Sequence, residues 1–105
     1  MSPNQENLPS AARKALRKLG RSCAAMVQVG KAGLTVALVA QVDKLLNQRE
    51  LIKVKVLEAA DMGADELADL LGESTAAAVV DVVGRTAVLY RPNPALPQAK
   101  RIKLE

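Results

Sequence analysis

The sequence has no histidine, phenylalanine or tryptophan, and only one tyrosine (Tyr90) and one cysteine (Cys23) among 105 residues. Without histidine it lacks the commonest general base and the commonest metal ligand. A single cysteine excludes an internal disulfide and, with no other soft ligand near it, a structural zinc site. A nucleophile would have to be sketched from Ser22 or Cys23 with a lysine. No catalytic residue, metal, cofactor or small-molecule substrate is therefore expected. No apolar run is long enough to span a bilayer or to form the core of a signal peptide, so the expectation is a cytoplasmic, soluble protein with no membrane partner.

Apolar residues make up 50% of the chain, enough for one packed domain built from Val, Leu, Ile, Ala and Met. The net charge of +4 hides an asymmetry. Residues 1–55 carry ten basic and three acidic side chains, a balance of +7, while residues 56–105 carry five and eight, a balance of −3. Between Glu58 and Asp81 stand seven acids and no base. A folded chain of this kind has two faces of opposite sign, and the basic one can attract a polyanion.

Residues 1–9 read as a flexible polar lead, residues 10–92 as the folded domain, and residues 93–105 as a mobile, proline-containing basic tail whose final Leu104-Glu105 resembles a cloning remnant. Ser10 and Gly20 bracket a first helix as its N-cap and C-terminal cap. On it Arg13, Lys14, Arg17, Lys18 and Arg21 fall within an arc of about 140°, opposite Ala12, Ala15, Leu16 and Leu19. Residues 24–29 read as a short strand. A second helix is expected over residues 35–47, and residues 51–57 alternate Ile52, Val54 and Val56 against Lys53 and Lys55 as a strand does. A third, acidic helix spans about residues 62–75, and strands at 79–83 and 87–90 meet in a hairpin at Gly84-Arg85. The order α-β-α-β-α-β-β implies an α/β fold, a single two-layer domain with a four-stranded mixed sheet.

The tetrapeptide Gly30-Lys31-Ala32-Gly33 joins a strand to a helix. Two glycines allow a tight turn and close approach of another backbone, and the following helix directs free amides at a phosphate. A GxxG loop of this kind clamps a nucleic-acid backbone in KH domains. No Walker or dinucleotide fingerprint is present. The loop, the stripe on the first helix and Lys53/Lys55 share the positive half of the chain, and Arg85 and Arg91 are positioned to extend that surface. Lys53 and Lys55 read equally as protection of an edge strand, and the acids Asp65, Glu66, Asp69 and Glu73 as a solvated helix face. Tyr90 suits the core better than a stacking platform, which favours recognition of shape and backbone over unstacked bases.

Three ordered motifs carry a family resemblance: Val29 to Thr35 (VGKAGLT), Glu50 to Val56 (ELIKVKV), and Val83 to Pro92 (VGRTAVLYRP). Over residues 10–92 the chain resembles the bacterial YhbY-type proteins, which are stand-alone CRM (chloroplast RNA splicing and ribosome maturation) domains. The resemblance implies a fold similar to the C-terminal domain of translation initiation factor three. It also implies RNA binding through Gly30, Lys31, Ala32, Gly33 and the adjacent basic surface, with large-subunit ribosomal RNA or a pre-ribosomal particle as partner. The expected molecule is a monomeric, non-catalytic RNA-binding domain acting in large-subunit assembly. The alternatives are a module whose basic face docks an acidic protein, and a DNA binder.

Overall fold

The computed structural model describes residues 9–23 and 25–102, so residues 1–8 of the nine-residue lead, Ala24, Lys103 and the Leu104-Glu105 terminus lie outside the described residues. The elements are α1 (Ser10–Arg21), β1 (Met26–Val29), α2 (Val36–Arg49), β2 (Leu51–Val56), α3 (Ala64–Thr75), β3 (Ala78–Val83) and β4 (Thr86–Tyr90), followed by a 3-10 turn at Gln98–Lys100. The sheet order is β1-β2-β4-β3, parallel between β1 and β2 and antiparallel elsewhere. The expected element order and the four-stranded mixed sheet are both present.

The alternation along β2 decides where each layer goes. Ile52, Val54 and Val56 join Val27, Val29, Ala87 and Leu89 in the main core, covered by Leu38, Val42 and Leu46 of α2 and by Leu67 and Leu71 of α3. The odd-numbered side of β2 begins with Leu51, which packs with Val80, Val88, Tyr90 and Leu16 of α1 in a second, smaller core. The expected two layers become three, because α1 packs on the face opposite α2 and α3. Tyr90 is buried in that second core, as its expected role required.

Helix α1 starts at Ser10 with Pro9 as its N-cap, and continues past the expected glycine cap to Arg21. Gly20 is not a terminator but a contact point. A Cβ placed there would stand 3.0 and 3.1 Å from the two methyl groups of Val88, so its absence lets α1 approach β4 closely. Gly20→Val is expected to lever the helix away from the sheet and cost about 2–3 kcal/mol, the upper part of the range for an overpacked core site. Urea unfolding measures that loss. Gly72 has a similar place in α3, where a Cβ would meet the Ala77 carbonyl at 3.0 Å.

The tail is anchored over residues 93–102. Glu50, wholly buried at the end of α2, accepts the amide of Asn93 on Oε2 and the amide of Ile102 on Oε1, each at 2.6 Å. Its backbone carbonyl takes the amide of Arg91 at 2.8 Å, and Ile102 packs on the second core. Glu50 also has φ +63, a backbone conformation that costs a non-glycine residue about 1–3 kcal/mol. One residue, strained at its backbone, thus holds three separate points of the chain, two through its carboxylate and one through its carbonyl.

Candidate nucleic-acid interface

Helix α1 covers only part of its face of the sheet, next to Leu51, Val88 and Tyr90. Register pairs place Met26 beside Lys53 and Gln28 beside Lys55, with Val88 and Thr86 across from the two lysines on the same face. Met26, Gln28 and Lys55 are exposed and Lys53 is half-buried. Because β2 is flanked by β1 and β4, these lysines are not guarding an edge. They stand in the middle of an open half-sheet, where solvation alone gives no reason for two cations.

The stripe on α1 borders that open area. Leu19 lines a small cleft with Leu51 and Ile102 on the tail side of the helix, which turns the opposite flank, with Arg17 and Arg21, toward the uncovered half of the sheet. Lys14, Arg17, Lys18 and Arg21 are exposed. Arg13 departs from the stripe. Lying nearest the buried side, it folds inward and donates to the Val79 carbonyl at 2.8 Å, where the β3–β4 register shifts. Its role is to tie α1 to β3.

The glycine loop closes the site at the C-terminal ends of β1 and β2. The amide of Gly33 donates to the Gly30 carbonyl at 2.9 Å, and Gly33 has φ +65, a conformation that glycine adopts freely. Lys31 and Ala32 are exposed at the apex. Thr35 caps α2, its Oγ1 accepting the Leu38 amide at 3.0 Å. The amides of Val36 and Ala37 have no partner within the helix, as its geometry requires, and α2 presents the positive end of its dipole beside the loop. Gly30 has open space around it, so the fold itself does not need a glycine there.

Arg85 stands at the same end. Its Nε and Nη2 donate to the carbonyls of Val56 and Leu57 at 2.8 and 2.7 Å, which fixes an exposed guanidinium beside the loop. Arg91 does not join this surface. At the other end of the sheet it pairs with Asp43 at 2.6 Å and donates to the Thr75 and Asp43 carbonyls and to Asn47 Oδ1. It clamps α2 to the end of α3. The structure therefore brings Gly30–Gly33, Lys53, Lys55, Arg17, Arg21 and Arg85 to one side, with Lys14 and Lys18 on the outer surface of α1, and assigns Arg13 and Arg91 to the scaffold.

Sequence reasoning missed Glu50. A clue was available, since it is an acid set between the apolar runs Leu45-Leu46 and Leu51-Ile52. Its charge also reaches Tyr90, whose hydroxyl titrates above the usual value of 10.0, first because it is buried, then because Glu50 is near, with Arg101 opposing. A raised folded-state value means this contribution to stability is complete below the unfolded value and is lost as pH rises through the folded one. Tyr90→Phe should therefore remove part of the stability loss that the wild type shows above about pH 10, as read by denaturant titration at pH 9 and pH 11.

Ser22 and Cys23, the nucleophile sketches, each donate to a main-chain carbonyl, at 3.3 Å to Leu19 and to Leu51 respectively. Among the described residues no cluster of His, Cys, Asp and Glu could hold a metal ion, and no helix is long and apolar enough to cross a membrane.

These features define a small α/β domain with one basic face and a glycine loop at its edge. The profile of the CRS1 / YhbY (CRM) domain matches residues 8–91, and the chain belongs to that family. It is 33% identical over 76 residues to the Bacillus subtilis protein named Probable RNA-binding protein YqeI, covering 72% of this chain and 79% of that one. A Haemophilus influenzae protein named RNA-binding protein is 36% identical over 78 residues, covering 74% and 79% of the two chains. The solution structure of hypothetical protein SAV1595 from Staphylococcus aureus superposes with a TM-score of 0.74 at 34% identity, over 93% of this chain and 99% of that one.

Proposed function

We propose that the protein binds structured RNA through the glycine loop and the open basic half-sheet, as a monomeric, non-catalytic factor in assembly of the large ribosomal subunit in the cytoplasm. The observation that carries this reading is the position of Lys53 and Lys55, on a central strand and on the face that α1 leaves uncovered. The names of the relatives, which describe RNA-binding proteins, support the polymer class. The resemblance to YhbY-type proteins supports the ribosomal setting.

In this mechanism Arg17, Arg21, Lys53 and Lys55 draw the polyanion in by long-range attraction. The Gly30–Gly33 loop then meets the sugar-phosphate backbone, with Lys31 and the free amides of α2 facing a phosphate. Gly30→Ala separates this role from folding. Open space around Gly30 makes the alanine variant as stable as wild type, yet a methyl group at the point of closest approach should weaken RNA binding about fivefold in a filter-binding titration. Crosslinking in cells followed by sequencing tests the biological part. Recovery of large-subunit ribosomal RNA supports it, and recovery of other RNA, or of DNA, contradicts it.

A further inference from the structure

A second surface starts at the first turn of α2, where the glycine loop ends, and runs away from it between α2 and α3. Leu34, Val36, Val39 and Ala40 line a groove of about 500 Å³, with Asp43 and Ser74 also in its wall. Val36 is 89% exposed, a large apolar side chain presented to solvent on the first turn of a helix. Positions 36, 39, 40 and 43 form one stripe about 10 Å long, the length along which a two-turn helix makes i, i+3, i+4 and i+7 contacts.

The charge around the groove selects the occupant. Stepping outward from Ser74 around α3 at 100° per residue leads past Leu70 to Glu66 and Glu73, and then to Asp69 and Asp65. All four acids are exposed, and α3 carries no base. These acids flank the groove on its α3 side and outnumber the one base on the α2 side, Lys44, so the surface disfavours a nucleic-acid backbone. It complements a helix with an apolar stripe flanked by lysine or arginine.

The chain's own segments do not fit. Residues 1–8 hold an acid, Glu6, and no basic side chain, so they lack the cationic face that the groove complements. The cationic helix of a second copy, α1, has already buried Leu16 in its own domain. We propose that the α2/α3 groove docks a cationic amphipathic helix from another protein, so that one face of the domain holds RNA and another holds a basic protein segment. Ala40 and the acids of α3 lie beyond the first turn of α2, so the groove can be disabled without touching the glycine loop.

The test uses a labelled 16-residue peptide with leucines at i, i+3, i+4 and i+7 and lysines elsewhere, followed by fluorescence anisotropy with the intact chain. Controls carry glutamate in place of lysine, or the same residues scrambled. The lysine peptide should bind and the controls should not. Ala40→Gln, at an exposed position in the groove and beyond the first turn of α2, should weaken it about fivefold, and Glu66→Lys with Glu73→Lys at least tenfold. Affinity of Ala40→Gln for a structured RNA should stay at the wild-type value, whether or not that RNA is the natural one. No binding of the lysine peptide, equal binding of a control, or wild-type affinity in both groove variants overturns the proposal. So does loss of RNA affinity in Ala40→Gln, which would assign the groove to RNA, or self-association of the wild type abolished by the same change, which would assign it to a second copy.

Discussion

Reversing two charges, Lys31→Glu together with Arg17→Glu, should lower the affinity for structured RNA about a hundredfold near 0.1 M salt, with the melting temperature within a degree or two of wild type. Each reversal removes a cation from a phosphate and puts an anion in its place, costing about 1.4 kcal/mol, a factor of ten. Both side chains are exposed, and among the described residues neither makes a hydrogen bond, so the loss falls on binding and not on stability. The two residues belong to different elements, α1 and the β1–α2 loop, and losses that multiply would show that both touch the same ligand. The variant should also show a shallower fall of log affinity with log salt, because fewer counterions are released. A double variant that melts like wild type and binds RNA equally well would remove the loop and α1 from the interface.

Glu50→Ala should cost about 3–4 kcal/mol, the largest stability effect expected of any single change here. The carboxylate holds two backbone amides at 2.6 Å, and hydrogen bonds to a charged partner contribute about 1.5–3 kcal/mol each, more than the positive-φ strain that alanine would retain. For a domain of this size the melting temperature should fall by about 15 °C or more. Glu50→Gln keeps the shape but sets an amide donor where an acceptor is needed, so it should recover only part of the loss. Amide exchange at Asn93 and Ile102 should accelerate in both variants. Unchanged protection at those amides would mean that Glu50 is not what anchors the tail.

The contrast between these two sites shows which kinds of information lie open in a sequence. The alternation of Ile52, Val54 and Val56 with Lys53 and Lys55 is local, and it correctly places a strand with an apolar and a basic side. The glycine loop is also local, and its turn needs only the positive φ of Gly33 and one hydrogen bond back to the Gly30 carbonyl. The destination of α1 is not. Its apolar side could pack on either face of the sheet, and Gly20 resembles a terminator until Val88 is seen beneath it.

The arginines make the same point on a smaller scale. Arg13, Arg85 and Arg91 look alike in a list of cations, yet each is decided by a partner distant in the chain. Arg13 reaches Val79, Arg91 reaches Asp43 and Thr75, and Arg85 is held in the open by Val56 and Leu57. Proline and basic residues after Tyr90 suggest a loose tail, but a buried acid more than forty residues earlier supplies the acceptors that hold it. Long-range hydrogen bonds of this kind leave no periodic trace.

Whether the glycine loop and the half-sheet around Lys53 and Lys55 form one RNA-binding surface can be read from titration of the isotope-labelled protein with a structured RNA, following the backbone amide resonances by NMR. The largest shifts are expected at Gly30–Gly33, Lys53, Lys55 and the Arg17–Arg21 flank of α1, with α3 unmoved. Shifts concentrated on α3 and the outer side of α2, with the loop and the lysine strand silent, would contradict that surface.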